Sequence, residues 1–147
     1  MRSKFSGAGS VDDCERLAGI EELIDELKDR ALCGAVVLVE GRRDREALEK
    51  LGIAGEVVMT SQQSLLNMAE GLARTKKDII VLTDWDERGE EVARQLSLYL
   101  EADGVKADNS IRCSLRGLLK KEITEVENLY VYVENLKEVC STKPQHY

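Results

Sequence analysis

Two short, nearly continuous apolar runs constrain the fold of this chain more than any other feature. They are Ala35–Val39 and Ile79–Thr83. Runs of this length are typical of strands that are covered on both faces, as in a parallel sheet. The segments between and after them carry apolar residues at helical spacing. Because alternating strands and helices favour right-handed crossovers, we predict an α/β fold with three layers.

The boundaries of the elements are predicted from periodicity, turn residues and capping residues. We expect a mostly parallel central sheet of about four strands, with helices on both faces. In chain order the predicted elements are a helix at Val11–Arg30, a strand at Ala35–Val39, a helix at Asp44–Leu51, a strand at Glu56–Met59, a helix capped by Thr60 that buries Leu66 and ends near Arg74, a strand at Asp78–Thr83, a helix at Glu87–Asp103, a weak fourth strand at Ala107–Ile111, and helices at Ser114–Lys121 and Thr124–Glu138. We expect residues 1–10 to be flexible, 11–140 to form one domain and 141–147 to form a tail.

Composition narrows the class of protein. The net charge is −7 and the isoelectric point is near 4.9. This lowers the expectation of general nucleic-acid binding, because phosphate contacts need Lys and Arg, but it leaves a local basic patch open. There is no apolar stretch of about 18 residues, so we expect no membrane span and a cytoplasmic location. Four scattered cysteines form no Cys-x-x-Cys pair, so we expect reduced thiols and no zinc site.

Acidic residues follow both apolar runs. Glu40 follows the first, and Asp84 and Asp86 follow the second. In open parallel sheets ligands bind beyond the carboxyl ends of the strands, so these carboxylates are expected to converge. Mg²⁺ prefers oxygen ligands and commonly combines one or two carboxylates with a substrate phosphate; Mn²⁺ is a substitute. Glu40 could bind the metal or transfer a proton.

Helix capping is an alternative interpretation of the same aspartates. Asp84 could cap the following helix, with Glu87 completing a capping box, or Asp86 could be the cap. Acidic residues are common at helix starts because of the helix dipole. The residues alone leave both interpretations open.

The two acidic segments together resemble a known family. Glu40–Asp44 after the first apolar run and Thr83–Gly89 after the second resemble the Toprim domain, with its Glu-Gly and Asp-x-Asp elements in order. Topoisomerases, bacterial-type primases, old-family nucleases, recombination proteins and a small-rRNA maturation nuclease share that domain. The resemblance spans about Ala31–Ile111 and is closest to small stand-alone Toprim proteins of archaea and bacteria. It implies a Rossmann-like fold.

The resemblance also implies roles for individual residues. Glu40 would be the general acid/base, and Asp84 and Asp86 would hold Mg²⁺. Asp44 matches an acidic position that often follows the Glu-Gly. Trp85 is bulky for its place between the aspartates. We expect no second domain that would supply a topoisomerase tyrosine or a primase zinc module, so neither of those activities is expected.

Basic residues near the acidic segments are candidates for phosphate contacts. We predict that nucleic acid is bound by Arg42, Arg43, Arg88 and Arg112. A solvated face with ordinary ion pairs is the alternative. Trp85 could contact a base or sugar, or it could pack against a neighbouring helix. Glu125 and Glu127 could approach the metal as accessory ligands or remain on a solvated helix face.

Three functions are compatible with these patterns. The first is a Mg²⁺-dependent nuclease or strand-transfer enzyme acting on RNA or DNA, with weak binding of nucleic acid by the chain alone. The second is a non-catalytic Toprim module that binds nucleic acid or a protein partner in replication, repair or RNA processing. The third is a phosphoacceptor receiver-like domain with Asp84 as acceptor. The patterns predict no oligomeric state.

Overall fold

A computed structural model describes residues 11–141, and these form three strands and six α-helices. In chain order the elements are α1 (Val11–Leu32), β1 (Val36–Val39), α2 (Arg42–Lys50), β2 (Glu56–Met59), α3 (Leu65–Thr75), β3 (Ile79–Val81), α4 (Glu87–Ala102), α5 (Ser110–Leu119) and α6 (Leu129–Ser141). Single 3-10 turns at Thr60–Gln62 and Val126–Asn128 precede α3 and α6. The predicted flexible segment 1–10 lies outside the described residues, as does the predicted tail except for Ser141.

The sheet is parallel and its strand order is β2-β1-β3. Val37 of β1 lies opposite Val57 on one side and Ile80 on the other. All four residues of β1 are buried, as its central position requires. The predicted α/β fold with helices on both faces is confirmed, with three strands in the described residues instead of about four.

Alternating side chains send the two apolar runs into two separate cores. Val37 and Ile80 pack with α1, α2, α5 and α6 on one face of the sheet. Val36 and Leu38 pack with α3 and α4 on the other face. The result is three layers, and it explains why the strands contain hardly any polar residues.

The predicted fourth strand at Ala107–Ile111 is wrong. Asp108 forms only an isolated parallel bridge with Ile80, and α5 begins two residues later. The Asp108 carboxylate accepts hydrogen bonds from the main-chain N–H and the hydroxyl of Ser110, and it pairs with Arg30. A side chain that binds its own neighbouring main chain diverts the segment from a strand into a helix start.

The predicted cap of α3 is also wrong. Thr60 is buried in a 3-10 turn, and Ser64 caps the helix by accepting a hydrogen bond of 3.1 Å from the N–H of Asn67. The helix therefore begins later than predicted, and its register turns Met68 and Ala69 towards the core. Leu66, predicted to be buried, is 49% exposed.

The expectation that all thiols are reduced is wrong for two cysteines. Cys14 of α1 and Cys140 of α6 form a disulfide, with their Cα atoms 5.7 Å apart. The two cysteines are 126 residues apart in sequence, so local spacing could not predict their pairing. Cys33 and Cys113 are free and exposed. Among the described residues, no helix combines the length and apolar character that crossing a membrane requires.

Candidate metal centre

Glu40, Asp84 and Asp86 meet at the carboxyl edge of the sheet. Glu40 directly follows β1 and the aspartates follow β3, which is the parallel neighbour of β1. One carboxylate oxygen from each residue lies within 4.8 Å of the others. The structure therefore brings together the three side chains that the apolar runs and the resemblance single out.

Trp85 lies between the two aspartates and packs into the core. Its ring is buried in the core on the α1 face, and its indole N–H donates a hydrogen bond of 3.0 Å to the carbonyl of Arg112. The chain bends at Trp85 and Asp86, and the aspartates on either side of the buried ring are both half-buried. The packing role proposed for Trp85 is the observed one, and the bulk of the residue serves the core.

Main-chain contacts hold Asp84 in place. Its N–H donates to Oε2 of Glu40 at 3.0 Å, and its Oδ1 accepts a hydrogen bond of 2.9 Å from the N–H of Val126. The next residue reinforces this docking, because the N–H of Trp85 donates to the carbonyl of Thr124 at 2.8 Å. The segment before α6 thus binds the segment that carries the aspartates.

Asp86 has the capping role that the sequence left open. It is the N-cap of α4, and its Oδ1 accepts a hydrogen bond of 2.7 Å from the N–H of Gly89. In the described part of the chain, no hydrogen bond reaches Oδ2 of Asp86 or Oδ2 of Asp84. Capping and metal binding are therefore compatible, because each aspartate uses one oxygen for the main chain and keeps the other.

Glu40 is the most enclosed of the three acids, with 9% of its surface exposed. Besides accepting from the N–H of Asp84, it lies 3.7 Å from the guanidinium of Arg88, measured to Oε1. Arg88 itself is 81% exposed, so its contact with Glu40 is a surface ion pair of small energy.

Burial raises the pKa of the Asp84 carboxyl to about 7. That value of the pKa already includes the lowering by the hydrogen bond from Val126 and the rise caused by the negative charges of Asp44, Glu40 and Asp86. Burial also raises the pKa of Asp44, with the charge of Glu127 acting in the same direction and the N–H of Gly41 opposing it. The raised pKa values of Asp84 and Asp44 show that negative charge is costly at this place. A bound cation would offset that charge.

Asp44 lies near the centre but is not one of the three converging acids. It is buried on the first turn of α2, where its carboxylate accepts a hydrogen bond of 3.0 Å from the N–H of Gly41. Glu127 acts on Asp44 through its charge, and Glu125 accepts a hydrogen bond from Asn128. Neither Glu125 nor Glu127 belongs to the group of three.

The predicted phosphate contacts divide into two sets. Arg42, Arg43 and Arg88 are exposed on the first turns of α2 and α4, which flank the three acids. Arg112 is 2% exposed, and its guanidinium donates to the carbonyls of Thr83 and Asp84 and to Glu90. This burial contradicts the prediction that Arg112 contacts phosphates, because its donors are already directed at the protein interior.

Two contacts near the acids were not predicted from the sequence. The N–H of Val126 has no signal in the sequence, because every residue except proline carries one. The hydroxyl of Thr83 donates a hydrogen bond of 2.8 Å to the carbonyl of Gly89. This bond joins the segment after β3 to α4. A polar residue that closes an apolar run was the only available sign of this second contact.

Comparison with known proteins gives consistent matches. The model of the Toprim domain family matches residues 35–115. A UPF0292 protein of Methanosarcina barkeri is 44% identical over 123 residues, which cover 84% of this chain and 86% of the relative. A UPF0292 protein of Pyrococcus abyssi is 41% identical over 110 residues, covering 75% of this chain and 80% of the relative.

A solved structure is similar as well. A protein from Aquifex aeolicus matches with a TM-score of 0.61 and 32% sequence identity. The match covers 74% of this chain and 95% of that protein.

Proposed function

The chain belongs to the Toprim domain family, and on that basis we propose that it is a Mg²⁺-dependent enzyme acting on phosphodiester bonds in RNA or DNA, as a nuclease or a strand-transfer enzyme. The observation that carries the proposal is the meeting of the oxygens of Glu40, Asp84 and Asp86 within 4.8 Å. All three residues lie within the matched range 35–115.

The donor set fits a hard divalent cation. Three carboxylates offer oxygen ligands, and neither a histidine nor a cysteine belongs to the group. Mg²⁺ is typically held by one or two carboxylates together with substrate phosphate, and Mn²⁺ accepts similar ligands. Asp84 and Asp86 would hold the ion through the oxygens that the main chain does not use.

The residues around the ion would divide the chemistry among them. The bound ion would neutralise charge that develops on the phosphate oxygens. Glu40 would transfer a proton at the reacting phosphate as general acid or base. Val126 would keep Oδ1 of Asp84 fixed through its N–H, and Gly89 would do the same for Oδ1 of Asp86.

Exposed arginines beside the acids would bind the nucleic-acid backbone. Arg42 and Arg43 begin α2, and Arg88 lies on the first turn of α4. Three phosphate contacts on a chain of net charge −7 predict weak binding by the chain alone. We further propose that the protein works in the cytoplasm, where a protein partner could add affinity for the substrate.

A second candidate is a non-catalytic module of the same family that docks nucleic acid or a protein partner in replication, repair or RNA processing. The enclosure of Glu40 favours it. Glu40 is 9% exposed, and its carboxylate accepts the N–H of Asp84 and faces Arg88. A carboxylate used in this way can support the position of Asp84 without moving a proton.

A charge-matched pair of double variants tests the proposal. Asp84→Asn with Asp86→Asn removes two negative charges at the centre. Glu101→Gln with Asp103→Asn removes two negative charges at the far end of α4. Mn²⁺ binding and Mg²⁺-dependent cleavage would be measured on structured RNA, single-stranded DNA and duplex DNA, with circular dichroism as the check of folding.

We expect the first double variant to lose Mn²⁺ binding and at least about a hundredfold in cleavage rate, and the second to behave as wild type. Mn²⁺ binding by the wild type without cleavage of any substrate would select the non-catalytic module. Unchanged Mn²⁺ binding in a folded Asp84→Asn, Asp86→Asn variant would reject both functions.

A further inference from the structure

Arg112 is a charged side chain in an unusual place. It lies on the first turn of α5, and it is among the largest side chains that are fully buried. A guanidinium stays protonated at any accessible pH, so burying it is costly unless its donors are satisfied. Its position therefore requires specific partners.

The partners of Arg112 belong to the main chain on both sides of the Asp84 Cα atom. Its Nε donates to the carbonyl of Thr83 at 2.9 Å, and its Nη2 donates to the carbonyl of Asp84. The indole of Trp85 donates back to the carbonyl of Arg112 at 3.0 Å. These carbonyls belong to the two peptide units that flank residue 84, so holding both fixes the direction of the Asp84 side chain.

The same guanidinium reaches the helix that Asp86 caps. Nη1 of Arg112 lies 3.2 Å from Oε1 of Glu90, which is on the first turn of α4. Gly89, the residue before Glu90, donates its N–H to Asp86. One planar group thus joins the strand end that carries Asp84 to the helix start that carries Asp86, and the fork of donors on arginine suits such multiple contacts.

We infer that Arg112 is a positioning residue of the metal centre: it sets the relative placement of the Asp84 and Asp86 carboxylates and contacts neither the cation nor the nucleic acid. The inference rests on the proposed function, since it concerns the cation that those carboxylates would bind. It extends that function by assigning a role to an arginine outside the group of three acids.

Arg116 provides a matched control. It lies one helical turn after Arg112 on α5, and its Nη1 is 2.8 Å from Oε2 of the same Glu90. It is 43% exposed and makes no hydrogen bond to residues 83–86 among the contacts of the described residues. Removing it deletes a cation bound to Glu90 and leaves the contacts of Arg112 with the main chain intact.

The test is a Mn²⁺ titration of the full chain, in which electron paramagnetic resonance records the free and the bound ion. The variants are Arg112→Lys, Glu90→Gln and Arg116→Met. Lysine keeps the charge at position 112 but cannot hold two carbonyls and Glu90 in one plane. Far-ultraviolet circular dichroism and thermal unfolding in a chelator report the fold of each variant independently of the metal.

We expect Arg112→Lys to raise the Mn²⁺ dissociation constant about 10- to 100-fold and to broaden the spectrum of the bound ion, as loss of a group that orients metal ligands does. Glu90→Gln should raise the constant several-fold, and Arg116→Met should stay within about twofold. A folded Arg112→Lys variant with wild-type affinity and spectrum would overturn the inference.

If Arg112→Lys does not fold, Glu90→Gln decides the matter, because it replaces the charged acceptor of Arg112 on α4 with a neutral one and keeps the bonds to the carbonyls. Equal Mn²⁺ affinity of Glu90→Gln and Arg116→Met would then overturn the inference. Mn²⁺ binding by the wild type separates the proposed function from the role of Arg112. A wild type that fails to bind Mn²⁺ overturns the proposed function, whereas a wild type and an Arg112→Lys variant that bind equally overturn only the role of Arg112.

Discussion

Gly89 packs directly against the main chain of Asp84. A Cβ atom at position 89 would lie 2.0 Å from the carbonyl oxygen of Asp84 and 2.5 Å from its carbonyl carbon. Real Cβ atoms essentially never come so close to other heavy atoms. The first turn of α4 can therefore pack against Asp84 only because residue 89 has no side chain.

Gly89→Ala is expected to disturb the centre and the stability of the protein together. The added methyl group forces the segment 84–86 and the start of α4 apart, and overpacking of this kind costs about 1–3 kcal/mol. The free energy of unfolding in urea and the Mn²⁺ affinity should both fall.

Gly71→Ala is the control for that substitution. Gly71 lies within α3, and a Cβ atom there would have no heavy atom within 4 Å. Alanine should therefore stabilise the protein by about 0.5–1 kcal/mol, because it is the better helix former. Equal stability of the two alanine variants would contradict the close packing of Gly89 on Asp84.

The raised pKa of Asp84 predicts how the stability of the metal-free protein depends on pH. The pKa is about 7 in the folded protein and 3.8 by its ordinary value. Between these values the folded state binds the proton more tightly than the unfolded state, so stability should fall as the pH rises from about 4 to 7 and then level off. Thermal unfolding in a chelator at pH 5, 6, 7 and 8 measures this fall.

Asp84→Asn should remove part of that pH dependence, whereas Asp103→Asn, at an exposed position after α4, should keep it. Saturating Mg²⁺ should also oppose the fall, since the ion binds the deprotonated carboxylate. A metal-free wild type whose melting temperature depends on pH in the same way as that of Asp84→Asn would argue against the raised pKa.

The Cys14–Cys140 disulfide is expected to contribute strongly to stability. The two cysteines are 126 residues apart, and closing a loop of that length stabilises a folded chain by about 5 kcal/mol in the chain-entropy model. Cys14→Ser should lower the free energy of unfolding by up to that amount, and a reductant should lower it equally in the wild type.

Cys33→Ser with Cys113→Ser is the control, because both thiols are exposed and free. It should change stability by no more than about 0.5 kcal/mol. Thiol titration of the denatured wild type should find two free thiols before reduction and four after it. Four thiols before reduction would show that the two cysteines are not joined in solution.

The exposed arginines predict the salt dependence of nucleic-acid binding. Replacing Arg42, Arg43 and Arg88 by glutamine should weaken binding to labelled RNA or DNA. It should also flatten the plot of log K against log salt concentration by about 2 to 3, because each phosphate contact contributes about 0.7–0.9 to the slope. Fluorescence anisotropy measures this slope between about 50 and 200 mM salt, the range in which phosphate contacts weaken.

A second triple variant controls for net charge. Arg74, Lys76 and Lys77 are exposed and lie before β3, at the opposite edge of the sheet from the acids. Replacing them by glutamine should leave the salt slope unchanged. If both triple variants flattened the slope equally, binding would follow overall charge and would not involve the edge that carries the acids.

The convergence of the acids could be predicted because it follows from strand order alone. A carboxylate after each of two parallel neighbouring strands must arrive at the same edge, whatever the rest of the chain does. Glu40 and the Asp84–Asp86 pair meet this condition, and the buried β1 and β3 that precede them have a strong apolar signal. Both the three-layer fold and the meeting of the three acids could therefore be predicted from the sequence.

The failures come from residues whose tertiary partners are distant in sequence. Arg112 has the composition of a phosphate contact, yet its partners are carbonyls 28 and 29 residues earlier in the chain. Cys14 and Cys140 become neighbours only when the first and last described helices pack together. Local spacing carries no information about either arrangement.

Other failures come from local hydrogen bonds that compete with a simple pattern. Asp108 binds Ser110 and starts a helix where a weak fourth strand was predicted. Ser64 caps α3, although Thr60 was predicted to be the cap. Short polar side chains allow several such arrangements, and the packing of the neighbouring core decides among them.

The contacts from Thr124 and Val126 have a consequence for any attempt to shorten or transplant this centre. Both residues lie beyond position 115, where the family match ends, and yet they bind Trp85 and Asp84. A fragment trimmed to the recognisable segment would keep all three acids but lose a donor that orients one of them. The smallest portable unit must therefore include the stretch after α5, which belongs to the centre by geometry although family similarity does not reveal it.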